Sequence, residues 1–276
     1  MVGNQRQFAP HPQLASYIKC MWVHERDFRQ IGGVFQILPD SYVELSFSSG
    51  AQSFIGDAAG GVPVPAGCVV GLLDRPLTLA AAGVVRTLGV RFYAWGFAPL
   101  FGCAPSWPVA PALLGDRVFA QLSRSVQRAL TLGDDRGAVD EAQAWLLACA
   151  ERVTLPPDDV RAAAEWLFAQ RGAARIAALE DVCNLSRRQI ERRFQQVVGI
   201  SPKALARKMR FEQVLYALWE RPTSDLAWLA ADYGYADQSH LAREFRAFSD
   251  ETPGRFTARL LAADAVRPGK LRIEAN

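Results

Sequence analysis

Between residues 8 and 111 the apolar positions come in short runs broken by glycine and proline. Residues 34–38, 42–47, 68–73 and 84–93 are the clearest strands, with Pro39-Asp40, Ser49-Gly50, Gly60-Gly61 and Asp74-Arg75-Pro76 as turns. Many short strands at close spacing predict a barrel or sandwich. The spacing then turns helical. Residues 116–130 and 134–152 each open on an aspartate that can cap, Asp116 and Asp134, and continue rich in alanine and leucine. In Val153-Thr-Leu-Pro156-Pro157-Asp158-Asp159 two prolines stop the incoming helix, while the acids suit the start of the next. The expected division is therefore 1–153 and 158–265, an α+β chain with an all-α second domain.

After that break the pattern predicts helices throughout: 160–170, then a short one at 176–183, then 187–198 capped by Ser186, with Ile190, Phe194 and Val197 at helical spacing. Gly199 ends the third, and Ser201-Pro202 opens the longest, to about Trp219. Asp225 caps 226–233, Gly234-Tyr235-Ala236 turns the chain, Asp237 caps 238–248, and Thr252-Pro253 starts a last helix carrying Phe256, Leu260 and Leu261. Residues 176–198 and 225–248 thus have the same layout, a short helix, a tight turn and a capped helix, which is that of a helix-turn-helix.

In that motif the second helix lies in the major groove, one face apolar and the other polar. Burying Ile190 and Phe194 leaves Arg187, Arg188, Glu191, Arg192 and Gln195 outward or flanking. Burying Leu241, Phe245 and Phe248 leaves Gln238, Ser239, His240 and Arg243 outward. These side chains suit base edges: Arg192 and Arg243 can grip guanine O6 and N7, Gln238 can pair with adenine, and Glu191 can accept from a cytosine amino group. The expected partner is double-stranded DNA.

Charge sharpens this reading only when divided along the chain. The net charge is +3; residues 1–150 hold 11 basic and 11 acidic side chains, residues 151–276 hold 20 and 17. Between Ser186 and Arg210, eight cations (Arg187, Arg188, Arg192, Arg193, Lys203, Arg207, Lys208 and Arg210) face one acid, Glu191. Phosphates reward such a patch, and so does an acidic protein. Five widely spaced cysteines without a C-x-x-C pair argue against a disulfide framework or a zinc site. His11 and His24 lack metal-site spacing, no nucleophile or nucleotide-binding motif stands in context, and no cofactor is implied, so the chain does not read as an enzyme. The start of the sequence is polar and no apolar run is long enough to span a membrane, which points to the cytoplasm. Arg86 shares strand parity with Val84, Leu88, Val90 and Phe92; pointing inward, it needs an anion, either a carboxylate of the chain or an acidic effector.

The run Leu185-Ser-Arg-Arg-Gln-Ile-Glu-Arg-Arg-Phe194 with Gly199-Ile-Ser-Pro202, and the run from Ala230 to Phe245 with Thr252-Pro-Gly-Arg-Phe256, resemble the DNA-binding module of AraC/XylS transcription regulators over about 100 residues, a rough domain length. The resemblance implies that Arg188, Glu191, Arg192, Gln238, Ser239, His240 and Arg243 occupy base-facing positions. Leu241, where the family more often has Phe, and Trp228, where it has an aliphatic residue, depart from the pattern. Trp22, Leu38-Pro-Asp40, Gly56 and Gly89-Val-Arg-Phe92 look like the β-rich, cupin-like domain that in relatives binds small effectors or mediates dimers. The expectation is a transcription regulator with a small-molecule effector, a homodimer, and RNA polymerase as partner if it activates. The alternatives are a ligand-independent dimeric regulator and a cupin-type enzyme fused to a DNA-binding module.

Overall fold

The computed structural model describes residues 5–57, 59–105, 109–110, 117–152 and 158–262. Among the described residues, ten strands form two antiparallel sheets. The larger has the order β1 (Arg6–Phe8), β2 (Ile18–Asp27), β9 (Val84–Tyr93), β4 (Tyr42–Gly50), β7 (Gly67–Val70), β10 (Val109–Ala110); the smaller has β3 (Val34–Ile37), β8 (Leu77–Ala81), β5 (Ser53–Ile55), β6 (Val62–Pro63). The four strands read most clearly from the sequence are all present, within a few residues. The ten-residue β2 pairs with β9 from Ile18↔Phe92 to Asp27↔Val84 and was not among them.

Period-two alternation explains how the larger sheet is covered. Met21, Val23, Val43, Leu45, Phe47, Leu88, Val90 and Phe92 are buried on one face, against α1 (Phe97–Phe101), α2 (Arg117–Thr131) and α3 (Asp135–Ala150), with the Phe47 and Phe119 rings 5.8 Å apart. Asp134 caps α3, accepting the Gly137 N–H at 2.8 Å. The other face turns toward the smaller sheet: the Arg26 guanidinium lies 3.4 Å from the Phe35 ring centroid, and Val85 packs with Phe28 and Ala81. Asp116 and the linker at 153–157 lie outside the described residues.

The C-terminal half is α4 (Asp158–Ala169), a 3-10 turn (Ile176–Ala178), α5 (Leu179–Cys183), α6 (Arg187–Val197), α7 (Pro202–Glu220), α8 (Leu226–Asp232), α9 (Gln238–Ser249) and α10 (Pro253–Ala262). The helix expected over 176–183 is thus a 3-10 turn running into one α-helical turn. Left-handed conformations at Gly199 (φ 82°) and Gly234 (φ 73°) end α6 and open the second turn, as glycine permits.

The apolar core does not break at the Pro156-Pro157 linker. One continuous cluster runs from the larger sheet and α1–α3 through Val160, Leu167, Leu179, Ile190 and Phe194 to Met209. A second begins at Phe211 and holds Val214, Leu218, Leu229, Leu241, Phe245, Phe248 and Phe256. The division falls inside α7, so the first helix-turn-helix shares its core with the β-rich half, and the second has its own.

Candidate nucleic-acid interface

At the start of α6 the Ser186 backbone N–H and hydroxyl donate to Oε1 of Gln189 at 2.9 and 2.8 Å, half of a capping box. Ile190 and Phe194 anchor the helix, and Arg187, Arg188, Glu191, Arg192 and Gln195 are exposed. Their availability differs. Arg187 Nε donates to Glu191 at 3.0 Å, and Gln195 Nε2 donates to the Gly199 carbonyl at 2.8 Å, holding the end of the helix. Arg188 and Arg192 have no ion pair among the described residues. Arg193, half-buried, turns inward to pair with Asp159 of α4.

In α9 the cap Asp237 accepts the His240 N–H at 2.6 Å, and His240 Nδ1 accepts the Ala236 N–H at 3.3 Å. His240, half-buried and edge-on to Tyr235 at 5.4 Å, is therefore part of the turn; with Nδ1 accepting, its neutral ring carries the proton on Nε2, which remains a donor. Gln238, Ser239 and Arg243 are exposed. Glu244 points back to α7, taking Arg207 at 2.7 Å and Arg210 at 3.7 Å.

Counting from the caps, Arg192 is six residues past Ser186 and Arg243 six past Asp237, with Ile190/Leu241 and Phe194/Phe245 buried at matching offsets. Of the expected readers, this is the one offset carrying the same side chain in both helices. The 19 residues of α7 span about 28 Å at 1.5 Å per residue and join the two units.

The basic run is less open than its composition implies. Five of its eight cations have internal partners: Arg187 with Glu191, Arg193 with Asp159, Arg207 and Arg210 with Glu244, and Lys208 with Asp74. Arg188, Arg192 and Lys203 have no ion pair among the described residues.

In the N-terminal half, Arg86 is met within the chain, by Asp135 at 2.6 and 3.1 Å and Glu25 at 2.8 Å. The unforeseen cluster is on the face of the larger sheet that looks toward the smaller. Trp22, Gly89 and Ser46 share one row across β2, β9 and β4; Glu44 and Arg91 pair in the next; His24, Thr87 and Ser48 form the row on the other side. Trp22 Nε1 and Arg91 Nε donate to Glu44 Oε1 at 2.7 and 3.0 Å. Burial raises the Glu44 carboxyl above its usual range and, with Arg26, pushes His24 down to about 4. Glu44 Oε2 and both amide atoms of Gln7, the β1 partner of Trp22, are buried without a hydrogen bond. The Trp22 ring lies across Gly89, where a Cβ would come 2.2 Å from ring carbon Cε2. Gly89→Ala is therefore expected to displace Trp22, costing about 1–3 kcal/mol, the range for an overpacked core. A thermal midpoint and tryptophan emission unchanged by the substitution would contradict that. Among the described residues no three His, Cys, Asp or Glu side chains are grouped to hold a metal ion, and no helix is long and apolar enough to cross a membrane.

Residues 179–259 match the model of a helix-turn-helix domain, and residues 6–107 match that of a domain of unknown function, DUF6597. No curated protein matches the chain. Among solved structures, ToxT from Vibrio cholerae O395 is 12% identical, with 89% of this chain and 98% of that chain covered and a TM-score of 0.45. The AraC-like transcriptional activator CuxR is 12% identical, covering 89% and 91%, with a TM-score of 0.27. The xylose-binding transcription activator xylR is 19% identical over 40% of this chain and 29% of its own, with a TM-score of 0.32.

Proposed function

We propose that the chain, whose residues 179–259 match a helix-turn-helix domain, is a DNA-binding transcription regulator of the AraC/XylS type, with Arg192 and Arg243 as its principal base readers, one in each of two successive major grooves. The observation that carries this is their matched place: the same offset from the cap, on two helices whose opposite faces are buried, with no ion pair among the described residues. Arg188, Gln238, Ser239 and His240 Nε2 flank them as further contacts. Arg187, Glu191 and Gln195, engaged with the helix itself, act by shaping α6 unless DNA displaces those bonds. Selection of bound duplexes from random DNA by the full chain tests the reading: the enriched motif should hold two blocks about one helical turn apart, ~10–10.5 bp. No enrichment overturns it.

A connecting helix of about 28 Å is shorter than the ~34 Å groove repeat of straight duplex. Seating both readers is therefore expected to bend the operator, visible as a position-dependent mobility shift in a circular-permutation assay. Full protection of both blocks on unbent DNA would contradict it.

For the N-terminal half we propose a small polar effector at the face around Trp22, where Glu44 and Gln7 hold unfilled hydrogen-bonding atoms beside a flat ring. A compound that raises the melting midpoint of the wild type and of Arg86→Ala but not of Trp22→Ala supports this site. One whose effect requires Arg86 moves the site to that residue. Residence in the cytoplasm, a homodimer through the helices at 117–150, and contact with RNA polymerase complete the proposed reading; light scattering of the full chain tests the dimer.

A further inference from the structure

Where α7 crosses the β-rich half, two of its side chains, one turn apart, are buried in it: Lys208, 1% exposed, and Glu212, 6% exposed. Lys208 Nζ donates to the Leu73 carbonyl and meets Asp74 at 2.8 Å. Glu212 Oε2 accepts from the hydroxyl of Ser41, itself buried, at 2.7 Å. Beside it, Arg91 reaches Asp40 at 3.1 Å and Glu44 at 3.0 Å. Leu38, at the start of the same turn, packs against the core of the second helix-turn-helix.

The count of charges here is uneven. The groups facing Glu212 are Asp40 and Ser41 from the β3–β4 turn, Tyr42 from β4, Arg91 from β9, and Tyr216 one turn along α7, while Glu44 of β4 pairs with the same Arg91. Lys19 of β2 lies over the Tyr42 ring at 5.3 Å, and Lys208 is held by Asp74. Glu212, Glu44 and the half-buried Asp40 therefore lie around the Arg91 guanidinium, with Lys208 facing Asp40 from the other side, and this surplus of carboxyls around a buried site disfavours the charged form of Glu212. Glu212 is the member with no cation in hydrogen-bonding reach.

We propose that the Glu212 carboxyl is a protonation-controlled latch between the β-rich half and α7, closing when it gains a proton and loosening when it loses one. Because α7 holds α9 through Glu244 and through Phe211 against Phe245 and Phe248, loosening α7 frees the second reader, while α6 stays in the core it shares with the β-rich half. The latch deepens the reading of α9 as a DNA reader, yet it can be measured without DNA.

Burial, with Asp40 adding to it, pushes Glu212 from 4.5 up to about 7. A carboxyl raised in the closed state favours closure fully below its open-state value. That contribution falls up to about tenfold in the closed-to-open ratio per pH unit between 4.5 and about 7, then levels off. Acid closes the latch.

The test is hydrogen–deuterium exchange of the full chain across pH 4.5 to 8, corrected for intrinsic exchange, with α7 read against β9 as internal reference. In wild type, α7 protection should fall through this window relative to β9 and flatten above it. Glu212→Gln keeps an acceptor for Ser41 without the charge, so its α7 should hold the acid level of protection throughout. Ser41→Ala, which removes the donor, should lower protection at every pH. Flat wild-type protection overturns the latch, as does a glutamine variant that tracks wild type. If the exchange profile is as expected but operator affinity of Glu212→Gln and wild type stays equal at pH 8, the latch stands and the role given to α9 falls.

Discussion

Arg192→Ala and Arg243→Ala are each expected to weaken binding to the selected operator by about 1–3 kcal/mol, roughly 5- to 150-fold, and to relax preference at the one block each helix touches. The two readers lie on separate helices joined through α7, with no shared partner, so the double variant should lose close to the product of the single losses. Phosphate contact predicts something else. A cation on the backbone weakens every sequence alike and lowers the salt slope by about one per residue removed. Lys203→Ala, exposed beside Pro202 at the start of α7, is the comparison for that behaviour. If Arg192→Ala follows Lys203→Ala, losing affinity uniformly with preserved sequence preference, Arg192 holds phosphate and the base-reading role fails. Arg193→Ala should behave as neither, because its partner is Asp159 and its loss is felt in the packing of α6 on α4.

The contrast between Arg192 and Arg193 shows where the sequence was legible. Helical spacing assigns Ile190 and Phe194 to the core, and the caps Ser186 and Asp237 follow from residue type alone, so the outward face of each second helix could be read directly. Which outward cations are open could not, because Asp159, Glu244 and Asp74 come from other elements. The same holds for Arg86, whose partner Asp135 is 49 positions away. Strand β2 was missed because it is covered on both faces: Met21 and Val23 against the helices, Cys20, Trp22 and His24 toward the second sheet, which hides the alternation of a half-exposed strand. The Trp22–Glu44–Arg91 cluster needs three strands in register, and no local pattern announces it. Pro156 and Pro157 mark an expected boundary in the sequence, and residue type there carries no information on how the apolar core is shared on either side.

That division of the core sets the other large effect. Phe194→Ala and Phe245→Ala remove equivalent, fully buried rings, each expected to cost about 3–5 kcal/mol. The consequences should differ. Phe194 stands in the cluster that includes the larger sheet, α1–α3 and α4, so its loss should lower the melting of the β-rich half together with the first reader. Phe245 contacts Phe211, at 5.3 Å between ring centroids, and Phe256, at 5.5 Å, in the cluster that begins after Met209. Its loss should melt the second reader early, as a separate calorimetric transition, while the main transition stays near its wild-type midpoint. On DNA the Phe245→Ala protein should then protect one block of the operator in place of two, with the first still recognised through Arg192. A single transition lowered equally by both substitutions would mean that α7 couples the two clusters into one cooperative unit, and that the second reader cannot be released without unfolding the whole.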